Sequence, residues 1–171
     1  MRGPRAGRAL ARISLALLTV AAATGLTVSS AQAGYVLLGR FESKSAPGWC
    51  LDSNDAGRVY LKPCEARNQY QTWRIEQIGS EAGHDLVAIW NAKSRRYLFI
   101  GSGGLGAALT PALQETRIVA DGPNWRSVQL ARHVNGSYYD CIRVLRTGDP
   151  GEVGLQKCDP GWWSQTWKLT D

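Results

Sequence analysis

The chain has 171 residues, 20 % of them charged, a formal net charge of +6 and four cysteines. Four arginines and no acid lie before position 34, so residues 34–171 hold 16 basic against 14 acidic residues, a net +2. No basic run there exceeds Arg95–Arg96, and this excludes the basic stripe a nucleic-acid-binding surface needs.

Residues 1–33 read as a secretory signal. Arg2, Arg5, Arg8 and Arg12 form a positive leading region, an apolar run extends from Ile13 to about Val28, and Ala31-Gln32-Ala33 has the small-x-small form of a cleavage site. The alternative is an uncleaved membrane anchor. Thr19, Thr24, Gly25 and Thr27 interrupt the run, which is short for a span of roughly 20 apolar residues. Export of a soluble chain is the expectation. The remainder, residues 34–171, is close to the usual size of one domain.

Two stretches of that remainder share one order of signals. Val36 to Ile75 and Val128 to Leu169 each run apolar strand, turn, Cys-apolar, glycine turn, apolar-x-Leu-x-x-Cys and then Gln-Thr-Trp. In each, the tryptophan lies nine residues after a cysteine. Between them, Leu86 to Ser127 is expected to be a third copy without cysteines. It places Leu98 where Cys50 and Cys141 stand, Ala112 where Cys64 and Cys158 stand, and Trp125 where Trp73 and Trp167 stand, with Pro123 at the glutamine. Loop insertions are expected around "GSGGLGAAL" and "QETRIVADGP".

Within the copies, "VYLKP", "LVAIW", "YLFIG", "CIRVL" and "TWKLT" are short, rich in β-branched and aromatic residues and mostly bounded by turn formers, as strands are. Asn135-Gly136 is the sequence of a two-residue hairpin turn, which needs positive φ at both positions. No stretch of residues 34–171 holds a helical apolar period over 11 or more residues, so almost no helix is expected. Units of roughly 45 residues cannot each bury a core alone; packed around a threefold axis they can, and closure removes exposed sheet edges.

Four cysteines in an exported chain allow three disulfide connectivities. Cys50 and Cys64 are 14 apart, Cys141 and Cys158 are 17 apart, and 77 residues separate the groups. Each near pair falls inside one copy, which favours local pairing. No Cys-x-x-Cys occurs and only His84 and His133 could assist, so a zinc site is not expected.

Cys50-Leu51-Asp52, Leu61 to Cys64 and Gln71 to Trp73, with Cys141-Ile142-Arg143, Leu155 to Cys158 and Gln165 to Trp167, resemble the ricin B-type lectin repeat over essentially all of residues 34–171. The resemblance implies an all-β fold, a β-trefoil of three lobes at about 34–81, 82–127 and 128–171, with one potential sugar pocket in each. It also implies that Trp73, Trp125 and Trp167 serve the core, as suits side chains that bury roughly 150–250 Å².

In that family an aspartate two residues after the first cysteine accepts hydrogen bonds from the sugar. An aromatic residue shortly before the second cysteine stacks on it, and an asparagine before the glutamine adds a polar contact. Here the first lobe keeps Asp52 but has Lys62 and Tyr70 at the other two positions, with Tyr60 as a displaced platform and Gln71 as a polar neighbour. The middle lobe has Ile100 at the aspartate position, and the third has Arg143, Gln156 and Ser164. Trp162-Trp163 lies near the third pocket, and Trp163 is a candidate either for stacking on a ligand or for capping the core.

No catalytic constellation accompanies these residues. His84 and His133 are isolated, and "GSGGLG" at Gly101 to Gly106 lacks the ending of a phosphate loop. Asn135 to Ser137 is also a glycosylation sequon. The expectation is therefore a secreted, monomeric, non-catalytic carbohydrate-binding domain without cofactor or metal. Asp52, Tyr60, Lys62, Tyr70 and Gln71 form its principal site, and Arg143, Gln156 and Trp163 a weaker one. The competing expectation is a scaffold that binds a protein partner, as an inhibitor or an accessory toxin subunit does.

Overall fold

The computed structural model describes residues 34, 36–81, 83–101, 107–111, 115–120, 125–134 and 137–171. They belong to the second of two units, Met1–Gln32 and Ala33–Asp171. The leader, Ala112, Pro123, Asn135-Gly136 and most of the Gly101–Gly106 run lie outside the described residues.

Among the described residues twelve strands follow one another: β1 (Val36–Ser43), β2 (Trp49–Ser53), β3 (Val59–Pro63), β4 (Trp73–Glu81), β5 (His84–Asn91), β6 (Tyr97–Ile100), β7 (Ala107–Thr110), β8 (Glu115–Ala120), β9 (Val128–Val134), β10 (Ser137–Arg146), β11 (Glu152–Lys157) and β12 (Trp167–Thr170). The protein is all-β. The single helical element among the described residues is a 3-10 turn, Trp163–Gln165, so none is long and apolar enough to cross a membrane.

The pairings close a ring. β1 pairs with β4, β4 with β5, β5 with β8, β8 with β9, β9 with β12, and β12 again with β1, all antiparallel. Each of these strands thus has a neighbour on both sides and leaves no open edge. Three hairpins, β2–β3, β6–β7 and β10–β11, are joined to the ring through β1, β5 and β9. Ser137 pairs with Val134, so β9 and β10 are antiparallel neighbours; the expected Asn135-Gly136 turn lies outside the described residues.

Alternation along the strands sorts the side chains. Val59 and Leu61 of β3, and Leu98 and Ile100 of β6, point into the core while Lys62 and Phe99 face outward, the period-two pattern of a half-buried strand. Trp73 and Trp167 are fully buried at its centre. Each indole N–H donates to a backbone carbonyl, Trp73 to Leu51 O at 3.0 Å and Trp167 to Ile142 O at 3.2 Å, so neither ring is buried with an unsatisfied donor. The disulfides are Cys50–Cys64 and Cys141–Cys158, both with Cα atoms 5.0 Å apart.

The register corrects the alignment of the middle segment. Trp90 pairs with Tyr97 as Glu42 pairs with Cys50 and Ala131 with Cys141. Tyr97, not Leu98, therefore stands at the cysteine position, and Phe99, not Ile100, stands at the position of Asp52. Leu98 matches Leu51 and Ile142, all fully buried. The identification of Trp125 also fails. Trp73 pairs with Gly39, Trp167 with Val128 and Thr116 with Val87, so Thr116 holds the tryptophan position, and Gln114-Glu115-Thr116 is the altered Gln-Thr-Trp. Trp125 lies before β9, partly buried against the core, with φ 53°. The segments expected to be loop insertions contain β7 and β8; Thr116-Arg117-Ile118-Val119 has the β-branched composition of a strand.

Candidate functional site

The first site is built on the β2–β3 hairpin. Leu51 and Leu61 are cross-strand partners facing the core. Asp52–Tyr60 and Cys50–Lys62 are partners on the opposite face, so one alternation brings Asp52, Tyr60 and Lys62 together. Asp52 is only 1 % exposed. Its Oδ2 accepts a hydrogen bond from Asn68 Nδ2 at 2.9 Å. Burial pushes its carboxyl above the usual aspartate range, against the opposing pull of Gln71, the Ser53 N–H, Tyr60 and Lys62. Removal of a carboxylate from water disfavours its charged form.

The partners of Asp52 are themselves fixed. The Tyr60 hydroxyl donates to Ser53 O at 2.9 Å, and burial together with the Asp52 charge pushes that phenol up to about 12. Lys62 faces Asp149 at 3.7 Å, a half-exposed ion pair of the kind worth little. The Tyr70 hydroxyl donates to Asp55 Oδ2 at 2.8 Å, and its N–H to Asn68 Oδ1 at 2.9 Å. The bond to Asp55 raises the Tyr70 phenol above its usual range.

Gln71 has a different role. It is fully buried; its Nε2 donates to Pro63 O and its Oε1 accepts from Glu65 N, both at 2.8 Å. Gln165 repeats this with Lys157 O and Asp159 N, again at 2.8 Å. Both amides clasp the chain that follows the hairpin, which sets where the loop ahead of each tryptophan can go.

The clasp shapes the loop at 65–70. Asn68 N donates to Glu65 O and Gln71 N to Asn68 O, and the resulting turns project Asn68 back over Asp52. Glu65, Arg67, Asn68, Gln69, Tyr70 and Lys93 line an open cleft of about 540 Å³. Asn68 therefore joins the buried acid to an accessible surface, holding Asp52 with its amide N–H and Tyr70 with its amide oxygen. Sequence reasoning missed Asn68 because the ricin-type pattern looks for asparagine directly before the glutamine. Here it stands three residues before Gln71, and only its turn-forming character marked it. Lys93 arrives from the β5–β6 connection, with no local sequence signal.

In the third segment Arg143 stands two residues after Cys141, as Asp52 does after Cys50, and its strand partner is Gly154 where Tyr60 stood. Gln156 is the partner of Cys141, as Lys62 is of Cys50, and no side-chain bond joins it to Arg143. The Arg143 guanidinium lies 5.8 Å from the centroid of the Trp162 ring. Trp163 is 68 % exposed, with Lys44 Nζ 5.4 Å from its centroid. No protein-family model matches the chain, and no curated protein matches it.

Proposed function

We propose that the protein is a secreted β-trefoil of ricin B type and binds carbohydrate without catalysing a reaction, through the cleft at Asn68 and Tyr70. The closed ring of six strands with three attached hairpins supports the trefoil, as do the matched clasps of Gln71 and Gln165. The observation that carries the functional reading is the Asp52–Asn68 bond at 2.9 Å, beside the half-buried ring of Tyr70. A pyranose presents polar hydroxyls at its edge and an apolar face, and a bonded amide next to an aromatic ring answers both.

Asp52 acts here chiefly as a positioning residue, because its carboxylate is almost wholly buried behind Asn68. Lys62 and Tyr60 steady it, and Gln71 holds the loop. A panel of glycans and insoluble polysaccharides tests the reading. Binding by the parent, with loss on Asn68→Ala in a variant that stays folded under the assay conditions although its urea midpoint falls with the lost Asp52 and Tyr70 bonds, is the expected result. A stoichiometric protein partner with no glycan signal would select the scaffold reading instead.

A further inference from the structure

From the surface formed by Lys44, Arg143, Trp162 and Trp163, we infer a second, charge-selective site that binds anionic pyranoses, sugar rings carrying a carboxylate or a sulfate. It rests on the carbohydrate reading for the class of ligand, but its residues are separate from the Asn68 cleft. Lys44 follows β1, Arg143 lies in β10, and the two tryptophans precede β12. Trp162 is 40 % and Trp163 68 % exposed. Adjacent exposed indoles are costly to leave in water and are the side chains on which sugar rings stack.

The charges accompany the rings. The ammonium of Lys44 lies 5.4 Å from one centroid and the guanidinium of Arg143 5.8 Å from the other, within cation–π range. Lys44 also reaches Ser127 Oγ at 3.3 Å. Neither cation has an acidic partner among the described residues, and Arg143 Nε is buried without a hydrogen-bond partner. Where the first segment has a buried carboxylate, this one has an unneutralised guanidinium, so the preferred ligand charge is reversed. A uronate or sulfate ester carries its charge at the edge of the pyranose, a few ångströms from the apolar face. A ring with a cation at its side matches that layout.

The same geometry disfavours a lipid surface. Trp162 is the extended residue before the 3-10 turn and Trp163 its first residue, and each ring is flanked by a different cation, so the two indoles form two platforms, not one wedge. Each carries a cation that would have to leave water with its ring, which is costly. Two separate platforms suit a polymer whose charges repeat.

The test measures affinity of the purified protein for polygalacturonate against its methyl ester, and for dextran sulfate against dextran, at low and high salt. The two acidic polymers separate carboxylate from sulfate recognition. Binding of at least one acidic polymer, roughly tenfold or more weaker for its neutral counterpart (about 1.4 kcal/mol), is expected. Trp163→Ala and the double variant Lys44→Met/Arg143→Met should each lose most of that binding, and Trp163→Phe should keep much of it. The carbonyls of Trp162 and Trp163, not their rings, hold the turn, through Gln165 N and Thr166 Oγ1 for the first and Thr166 N for the second, and the Trp163 ring is 68 % exposed, so the urea midpoint of the Trp163 variants should be retained.

The inference is overturned if neither acidic polymer binds, or if ester and acid bind alike. It is also overturned if acidic binding survives both tryptophan substitutions, which would mean charge alone, or if phosphatidylserine vesicles bind and the polymers do not. Asn68→Ala separates the two sites. It should abolish neutral-glycan binding and leave acidic-polymer binding intact. Neutral-glycan binding that survives Asn68→Ala would count against the first cleft and leave the second site standing.

Discussion

Replacing Gln71 by alanine removes both ends of a clasp: the donor to Pro63 O and the acceptor of Glu65 N. Those backbone groups are part-buried, so water can reach them in part and each loses about 1 kcal/mol, the low end for an unsatisfied buried group. One buried methylene adds about 0.8 kcal/mol, for a total near 3 kcal/mol. Gln165→Ala should cost at least as much, since Gln165 also accepts from Gln129 Nε2 at 3.2 Å. With a urea slope of about 1.5–2 kcal/mol/M for a domain of this size, the midpoint falls by about 1.5–2 M. Urea unfolding followed by tryptophan fluorescence, with both disulfides intact, reads this directly. Losses below about 0.5 kcal/mol in both variants would refute the clasp. A Gln71→Ala variant with an unchanged midpoint but no glycan binding would make Gln71 a ligand contact.

Removing either disulfide by paired Cys→Ala substitution should cost about 3 kcal/mol, because loops of 14 and 17 residues differ little in closure entropy; a midpoint shift in only one pair would contradict this. The raised carboxyl of Asp52 means the folded chain holds that proton more tightly than the unfolded one. Its contribution is full below the ordinary aspartate value of about 3.9 and is lost as pH rises through the folded value. Stability of the parent relative to Asp52→Asn should therefore decline with rising pH across that window, and a pH-independent difference would count against it. Arg95, exposed at φ 56°, should be replaceable by glycine with a gain of about 0.5–1 kcal/mol, seen as a higher midpoint.

Much of the fold was legible because strands and turns are written in local chemistry. The alternation in "VYLKP", the paired cysteines and the two Gln-Thr-Trp stretches each led to the correct element or bond. The middle segment was misread where one-residue shifts matter. Leu98 resembles a buried cysteine in hydrophobicity, yet side chains in a strand change face at every step, and only the pairing of Trp90 with Tyr97 resolves the position. Trp125 attracted the alignment because tryptophan is rare, whereas the aligned residue is Thr116. In the site, Asp52, Tyr60 and Lys62 were readable from hairpin register. Asn68 was not, since its importance comes from a turn that folds it back across 16 positions. Lys44 was equally hidden, because nothing local connects it with Trp163, more than a hundred residues away.

The repeated Gln-Thr-Trp is thus a framework whose glutamines clasp and whose tryptophans fill the core. Ligand recognition is assigned to what that framework holds in place. The most direct measurement is the affinity of the purified protein for a neutral glycan identified by array, compared with Asn68→Ala under matched stability. At least a tenfold loss, about 1.4 kcal/mol, is the expected result. Binding that is unchanged in the variant, or absent in the parent across the whole panel, would contradict carbohydrate recognition at this cleft.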